Sequence, residues 1–174
     1  PGEAAALLRR TVRDYPDDGQ VWLQFGRALV QQRDLPAAEE ALRTTLRLMP
    51  DSAEAHFQLG ATLSLREQYP AAVAAFREAT RYRPDFPAAY YNLGLLYLDN
   101  DPFPGLADTL LRLNTAKAYF DQYKNMAGVD NVVHAATLHK PHVGSHTRQQ
   151  FVDTNITGTL NLLEAATRAG VRAF

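Results

Sequence analysis

The sequence predicts a mainly α-helical chain, a solenoid of stacked helical hairpins followed by a small α/β remnant. Three observations predict it. Glycine, proline, small and bulky apolar residues recur every 34 residues over roughly residues 1–126. Between those marks the apolar residues keep helical spacing. From about Gly128 the repeat stops, and the residues read as strand, loop, helix, glycine and strand, the order of a parallel-sheet unit.

The repeat has four registers with one period. Gly26, Gly60 and Gly94 form one, and Pro16, Pro50 and Pro84 a second. Ala4, Ala38 and Ala72 form a third, and Leu8, Leu42 and Phe76 a fourth. Trp22, Phe25, Gly26 and Leu29 share one face of a first helix. A glycine there lets a second helix come close, at some cost in helix propensity. Ala38 is expected to be its small partner on that second helix, with Leu42 and Thr45 continuing the face. Pro50 cannot extend a helix, so it marks the turn to the next unit. The pattern returns at His56, Leu59, Gly60 and Leu63, then Ala72, Phe76, Ala79 and Pro84, and again at Tyr90, Leu93, Gly94 and Tyr97. His56 takes the place of an aromatic residue and is expected to pack.

These places resemble the tetratricopeptide repeat family, whose units are helix–turn–helix hairpins of this length. The resemblance covers about 1–126. It gives a second helix alone at 1–18, repeats at 19–52 and 53–86, and a modified repeat at 87–126. In the last unit the small-then-aromatic signature is late. Asp99-Asn100-Asp101-Pro102-Phe103-Pro104-Gly105 is rich in loop signals, and Ala116-Lys117-Ala118-Tyr119-Phe120 restores the signature ten residues further on. An inserted loop is expected, then a second helix at about 106–126.

Hairpins of this kind bury their apolar faces by stacking into a curved solenoid. The resemblance implies a concave groove lined by the first helices, with Leu23, Phe57 and Tyr91, 34 apart, facing it. Such an apolar ladder suits an amphipathic helix or an extended peptide. Arg27 near the same face would meet an acidic group. The alternative is that the three apolar residues belong to the core or are covered by the chain's own C-terminal segment. Some members of the family grip a partner's C-terminal carboxylate with Lys and Asn pairs. Here the corresponding places hold Leu23, Gln24, Arg27, Phe57 and Gln58, and only Asn92 fits. A carboxylate clamp is therefore not expected.

The C-terminal segment, 127–174, reads differently. Asp130 through Ala136 is a short strand running into small residues, and a polar stretch with proline and glycine follows from Thr137 to about His146. A helix is expected over about 148–169, with Ile156, Leu160, Leu163 and Ala166 on one face. Gly170 ends it, and Val171 to Phe174 starts another strand. The His-x-Ala-Ala ending at Ala136 and the run from Thr154 to Ala166 resemble extended short-chain dehydrogenases, the NAD-dependent epimerases and dehydratases. That resemblance implies a truncated, Rossmann-like piece. It implies that His134, Ala135 and Ala136 lie beside the dinucleotide, that Asn155 supports the active site, and that the parent enzyme acts on a nucleotide-sugar-like substrate.

The chemistry is incomplete, however. No Gly-rich turn offers a helix N-terminus to a pyrophosphate. The Tyr-x-x-x-Lys pair is absent, and the adjacent Tyr123 and Lys124 do not replace it. As an epimerase fragment the chain is thus inactive as it stands. No cofactor is expected, and NAD(P) would bind only if the missing parts were present. A junction artefact or a chimera would account for the two segments equally well. In either case the helix near 155–169 is expected to dock on the solenoid end as a cap.

Composition narrows the remaining classes. The chain has 174 residues, 46% of them hydrophobic, with 18 basic and 19 acidic side chains. It lacks the basic excess of a nucleic-acid binder, and no apolar stretch is long enough to span a membrane. There is no cysteine for disulfides or thiolate chemistry. His139, His142 and His146 have metal-like spacing, but Pro141 and Gly144 interrupt any helix there, so no metal site is expected. Both ends read as cut, since the chain opens on Pro1 and stops at Phe174 in an apolar run; processing would also explain the first. The expectation is a cytoplasmic protein-interaction scaffold that binds a peptide or helix in the repeat groove, with a protein or peptide as partner.

Overall fold

The computed structural model describes residues 2–100 and 103–127. They form seven helices: α1 Gly2–Asp14, α2 Gly19–Gln31, α3 Leu35–Leu48, α4 Ala53–Leu65, α5 Tyr69–Tyr82, α6 Pro87–Asp99 and α7 Thr109–Ala127. No strand forms among the described residues. Phe103 and Leu106 make a single antiparallel bridge. The strands and helix expected over 130–174, the cap included, lie outside the described residues.

Polar caps start many of these helices. Asp18 Oδ1 accepts from the Gln20 and Val21 amides at 2.9 and 3.2 Å. One period later Ser52 Oγ accepts from the Ala55 amide at 3.2 Å. Each satisfies amide donors that the first turn leaves without intrahelical partners. Asp34 caps α3 through the Ala37 amide, and proline stands in the first turn of α3, α5 and α6. The tight turn inside the first two hairpins puts Arg33 at φ 64° and Glu67 at φ 60°, so the left-handed conformation recurs one period apart.

Helices α2 and α3, α4 and α5, and α6 and α7 pack as hairpins, and each hairpin packs on the next through α3 with α4 and α5 with α6. The glycine register explains the close approach within hairpins. A Cβ at Gly26 would lie 2.8 Å from Leu42 Cγ, one at Gly60 2.8 Å from Phe76 Cδ1, and one at Gly94 2.6 Å from Phe120 Cε1. This corrects the expected pairing with Ala38, whose carbonyl oxygen is 3.6 Å away. The glycine makes room for the large side chain one turn further along. Phe120 in that role also shows where the ten-residue insertion ends. Helix α7 starts at Thr109 rather than near 106, because Leu106 is held in the bridge and Asp108 caps the Leu111 amide at 2.9 Å.

A continuous apolar cluster runs from Leu23 and Leu42 through Leu59, Phe76 and Leu93 to Phe120. A second cluster joins α1 to α2 and α3 through Val12, Phe25, Leu29, Ala38 and Ala41. The two threonines buried in this core are satisfied within their own helices. Thr45 and Thr62 donate to the carbonyls of Ala41 and Gln58 at 3.1 and 2.8 Å. Ala38, Leu42 and Thr45 are fully buried, whereas their counterparts on α1 are exposed at Ala4 and half-buried at Leu8 and Thr11.

Candidate functional site: the face of the first helices

Successive first helices touch one another, α2 with α4 and α4 with α6, more closely than the second helices α3, α5 and α7 do. A stack in which one set of helices converges curves toward that set. Helices α2, α4 and α6 therefore carry the inner face.

The five residues expected on that face take three different situations. Leu23 is only 3% exposed and sits in the core cluster with Leu42, Ala55 and Leu59. Its side chain fills the α2–α4 seam, which is the core alternative for this position. Phe57 and Tyr91 are half-buried. The Phe57 ring tilts against Phe86 and Phe76 with centroids 4.9 and 5.6 Å apart. Tyr91 packs on Tyr123 and Phe120 of α7 at 5.2 and 5.9 Å. Arg27 is exposed. Asn92 is half-buried and donates through Nδ2 to the Ala88 carbonyl at 2.8 Å.

The structure also points to residues that the sequence reading left aside as a group. Gln24, Gln58 and Asn92 are a row of side-chain amides, one per repeat, and Gln58 Nε2 donates to Glu54 at 2.9 Å. Ala61 and Leu95 follow Arg27 at the repeat interval and are half-buried, as is Leu98, and Leu65 is 49% exposed. The same period that marked the core marks these rows. The row of Arg27, Ala61 and Leu95 has no residue type in common, however, so only its exposure separates it from a core row.

Among the described residues no group of His, Asp and Glu could hold a metal ion, and no helix is long and apolar enough to cross a membrane. His56, the one described histidine, is structural. Its Nε2 lies 2.9 Å from the Pro50 carbonyl, and its ring stacks on Tyr82 at 5.4 Å. It repeats the role of Trp22, whose Nε1 donates to the Pro16 carbonyl at 2.8 Å. A carbonyl only accepts, so Nε2 carries the proton. His134, Ala135, Ala136 and Asn155, and the cluster of His139, His142 and His146, lie outside the described residues.

Comparison with known proteins fits this geometry. A tetratricopeptide repeat model matches residues 1–62, and a second TPR repeat model matches 65–101. A model of the NAD dependent epimerase/dehydratase family matches 95–174. A search of curated protein sequences finds no match. Among solved structures, MamA 41-end from Desulfovibrio magneticus RS-1 superposes with a TM-score of 0.65 at 20% identity, covering 97% of this chain and 86% of that one. Another MamA crystal structure gives 0.64 at 18% identity, covering 95% and 78%. At such identities the likeness is one of fold. Converging first helices, glycine-seated hairpins and the 34-residue period thus agree with the family matches: the chain is a tetratricopeptide repeat protein over residues 1–101, followed from residue 95 by a stretch that matches the NAD-dependent epimerase/dehydratase family.

Proposed function

We propose that this chain is a protein-interaction scaffold whose inner face, formed by α2, α4 and α6, holds a peptide or helix of a partner protein. The observation that carries this reading is the amide row Gln24, Gln58 and Asn92 beside partly open apolar side chains on the same three helices. Side-chain amides both donate and accept, so they suit the main chain of an extended segment. Phe57, Tyr91, Leu95 and Leu98 offer apolar contact, and Arg27 offers a charge to an acidic side chain. Leu23 supports the face from beneath rather than touching the ligand.

A peptide-library pull-down with the parent chain and the Arg27→Glu and Gln58→Ala variants tests this. Both substitutions are on open or half-open positions, so the fold should persist. Loss of the Arg27 charge should weaken captured peptides about tenfold, and loss of the Gln58 amide by a smaller factor of about fivefold. Partners retained at full affinity by both variants would remove the groove assignment.

The family match over 95–174 favours a second reading of the C-terminal part. In that reading 127–174 is an epimerase-like α/β piece, without cofactor of its own, in which His134, Ala135, Ala136 and Asn155 keep positions once beside a dinucleotide. Calorimetric titration with NAD should give no saturable heat. Saturable binding would instead make this chain a dinucleotide binder and overturn the scaffold-only reading.

A further inference from the structure

The ten-residue insertion builds a cleft on the side of the molecule formed by second helices, away from the face of α2, α4 and α6. The turn at Phe103–Leu106 borders, with residues of α5, α6 and α7, an open cleft of about 420 Å³. Its lining is mixed: Val73 from α5, Phe103 and Leu106 from the turn and Leu111 from α7 are apolar, and Arg77, Tyr97 and Thr115 are polar. Leu111 is 53% exposed at the rim. The single charged residue lining it is Arg77.

Arg77 is held in place by two phenols. Its Nε donates to the Tyr119 hydroxyl at 3.1 Å and its Nη2 to the Tyr97 hydroxyl at 3.2 Å. The rings behind it are stacked, Tyr97 on Phe103 with centroids 4.7 Å apart and Tyr97 on Tyr119 at 5.9 Å. Tyr97 and Phe103 are buried, so the support is rigid. A guanidinium has five N–H donors, and two are committed here, so the Nη1 edge remains for an acceptor. The hydrogen bond to Tyr119 raises the Arg77 pKa further, and burial raises that of the Tyr97 phenol. Both groups keep their protons, and the cleft carries a full positive charge. No carboxylate answers it among the described residues: Glu78, next along α5, pairs with Arg81.

Arg77 is exposed, and a guanidinium braced by two phenols beside apolar side chains, with no carboxylate partner among the described residues, is complementary to an anion with an apolar neighbour. We propose that this cleft is a second docking site, which takes an Asp or Glu side chain of a partner peptide on Arg77 and the adjoining apolar side chain between Val73, Phe103 and Leu111. The site is independent of the inner face and does not rest on the groove reading.

The test is an NMR titration of the isotopically labelled full chain with acetylated, amidated Leu-Glu-Phe, in which the glutamate is the sole carboxylate. The Leu-Gln-Phe counterpart serves as control. The Arg77 Nε–H and the Gly105 and Thr115 amides should shift saturably with the first peptide, and the second should bind about tenfold more weakly. In Arg77→Gln the two peptides should bind alike. Equal binding of both peptides to the parent chain overturns the proposal without recourse to any variant. So does a preference for glutamate that survives in Arg77→Gln, or a set of shifts confined to Arg27, Gln58 and Asn92.

Discussion

Glu67 shows how a single residue bears the strain of the repeat. It lies in the turn between α4 and α5 at φ 60°, is exposed, and keeps its amide bonded to the Ser64 carbonyl at 3.0 Å. A side chain in the left-handed region costs about 1–2 kcal/mol, which glycine does not incur. Glycine also gains freedom in the unfolded chain, which offsets about 0.4–1 kcal/mol of that. Glu67→Gly should therefore stabilise the protein by about 0.5 kcal/mol, read as a higher urea midpoint. A lower midpoint would mean that the glutamate side chain contributes something the turn geometry does not reveal. Neither this residue nor Arg33 was legible beforehand, because nothing about Arg or Glu signals positive φ. By contrast, the packing of His56 was legible from its place in the Trp22 register.

At the scale of helices, the glycine register decides how closely a hairpin closes. Gly60 faces the Phe76 ring, and Phe76 is fully buried, so a methyl group at position 60 has nowhere to displace it. Overpacking of this kind costs about 1–3 kcal/mol, against roughly 1 kcal/mol gained in helix propensity. Gly60→Ala should lose about 1 kcal/mol in equilibrium unfolding, the middle of that difference. A variant as stable as the parent would show that α4 and α5 separate freely and that the glycine has another reason. The period located these glycines from the sequence. It did not identify their partners, since Ala38 and Leu42 both recur at 34 residues and only the packed pair distinguishes them. The modified hairpin behaves in the same way. Ala116 and Phe120 marked the shifted second helix, but the start of α7 depends on the bridge between Phe103 and Leu106 and on the Asp108 cap. Arg112, buried at 3% exposure, donates through Nη1 to the Tyr97 and Leu98 carbonyls at 2.7 and 2.9 Å. It ties α7 to the open end of α6, satisfying carbonyls that a helix terminus leaves without partners.

For the molecule as a whole, the sequence by itself determined the architecture of the repeat. A 34-residue recurrence of glycine, small and bulky residues admits one solution, hairpins that bury a shared face by stacking. Which side chains remain available to a partner was decided only by the tertiary structure. Leu23, Phe57 and Tyr91 are identical in register, yet Leu23 is sealed in the α2–α4 seam while the two rings stay half-open. Exposure depends on what the neighbouring helix brings to the same point, and the period does not carry that information. The Arg77 cleft is the extreme case. Its guanidinium, two tyrosines and inserted turn come from α5, α6, α7 and the loop, up to 42 residues apart, and only packing brings them to one place.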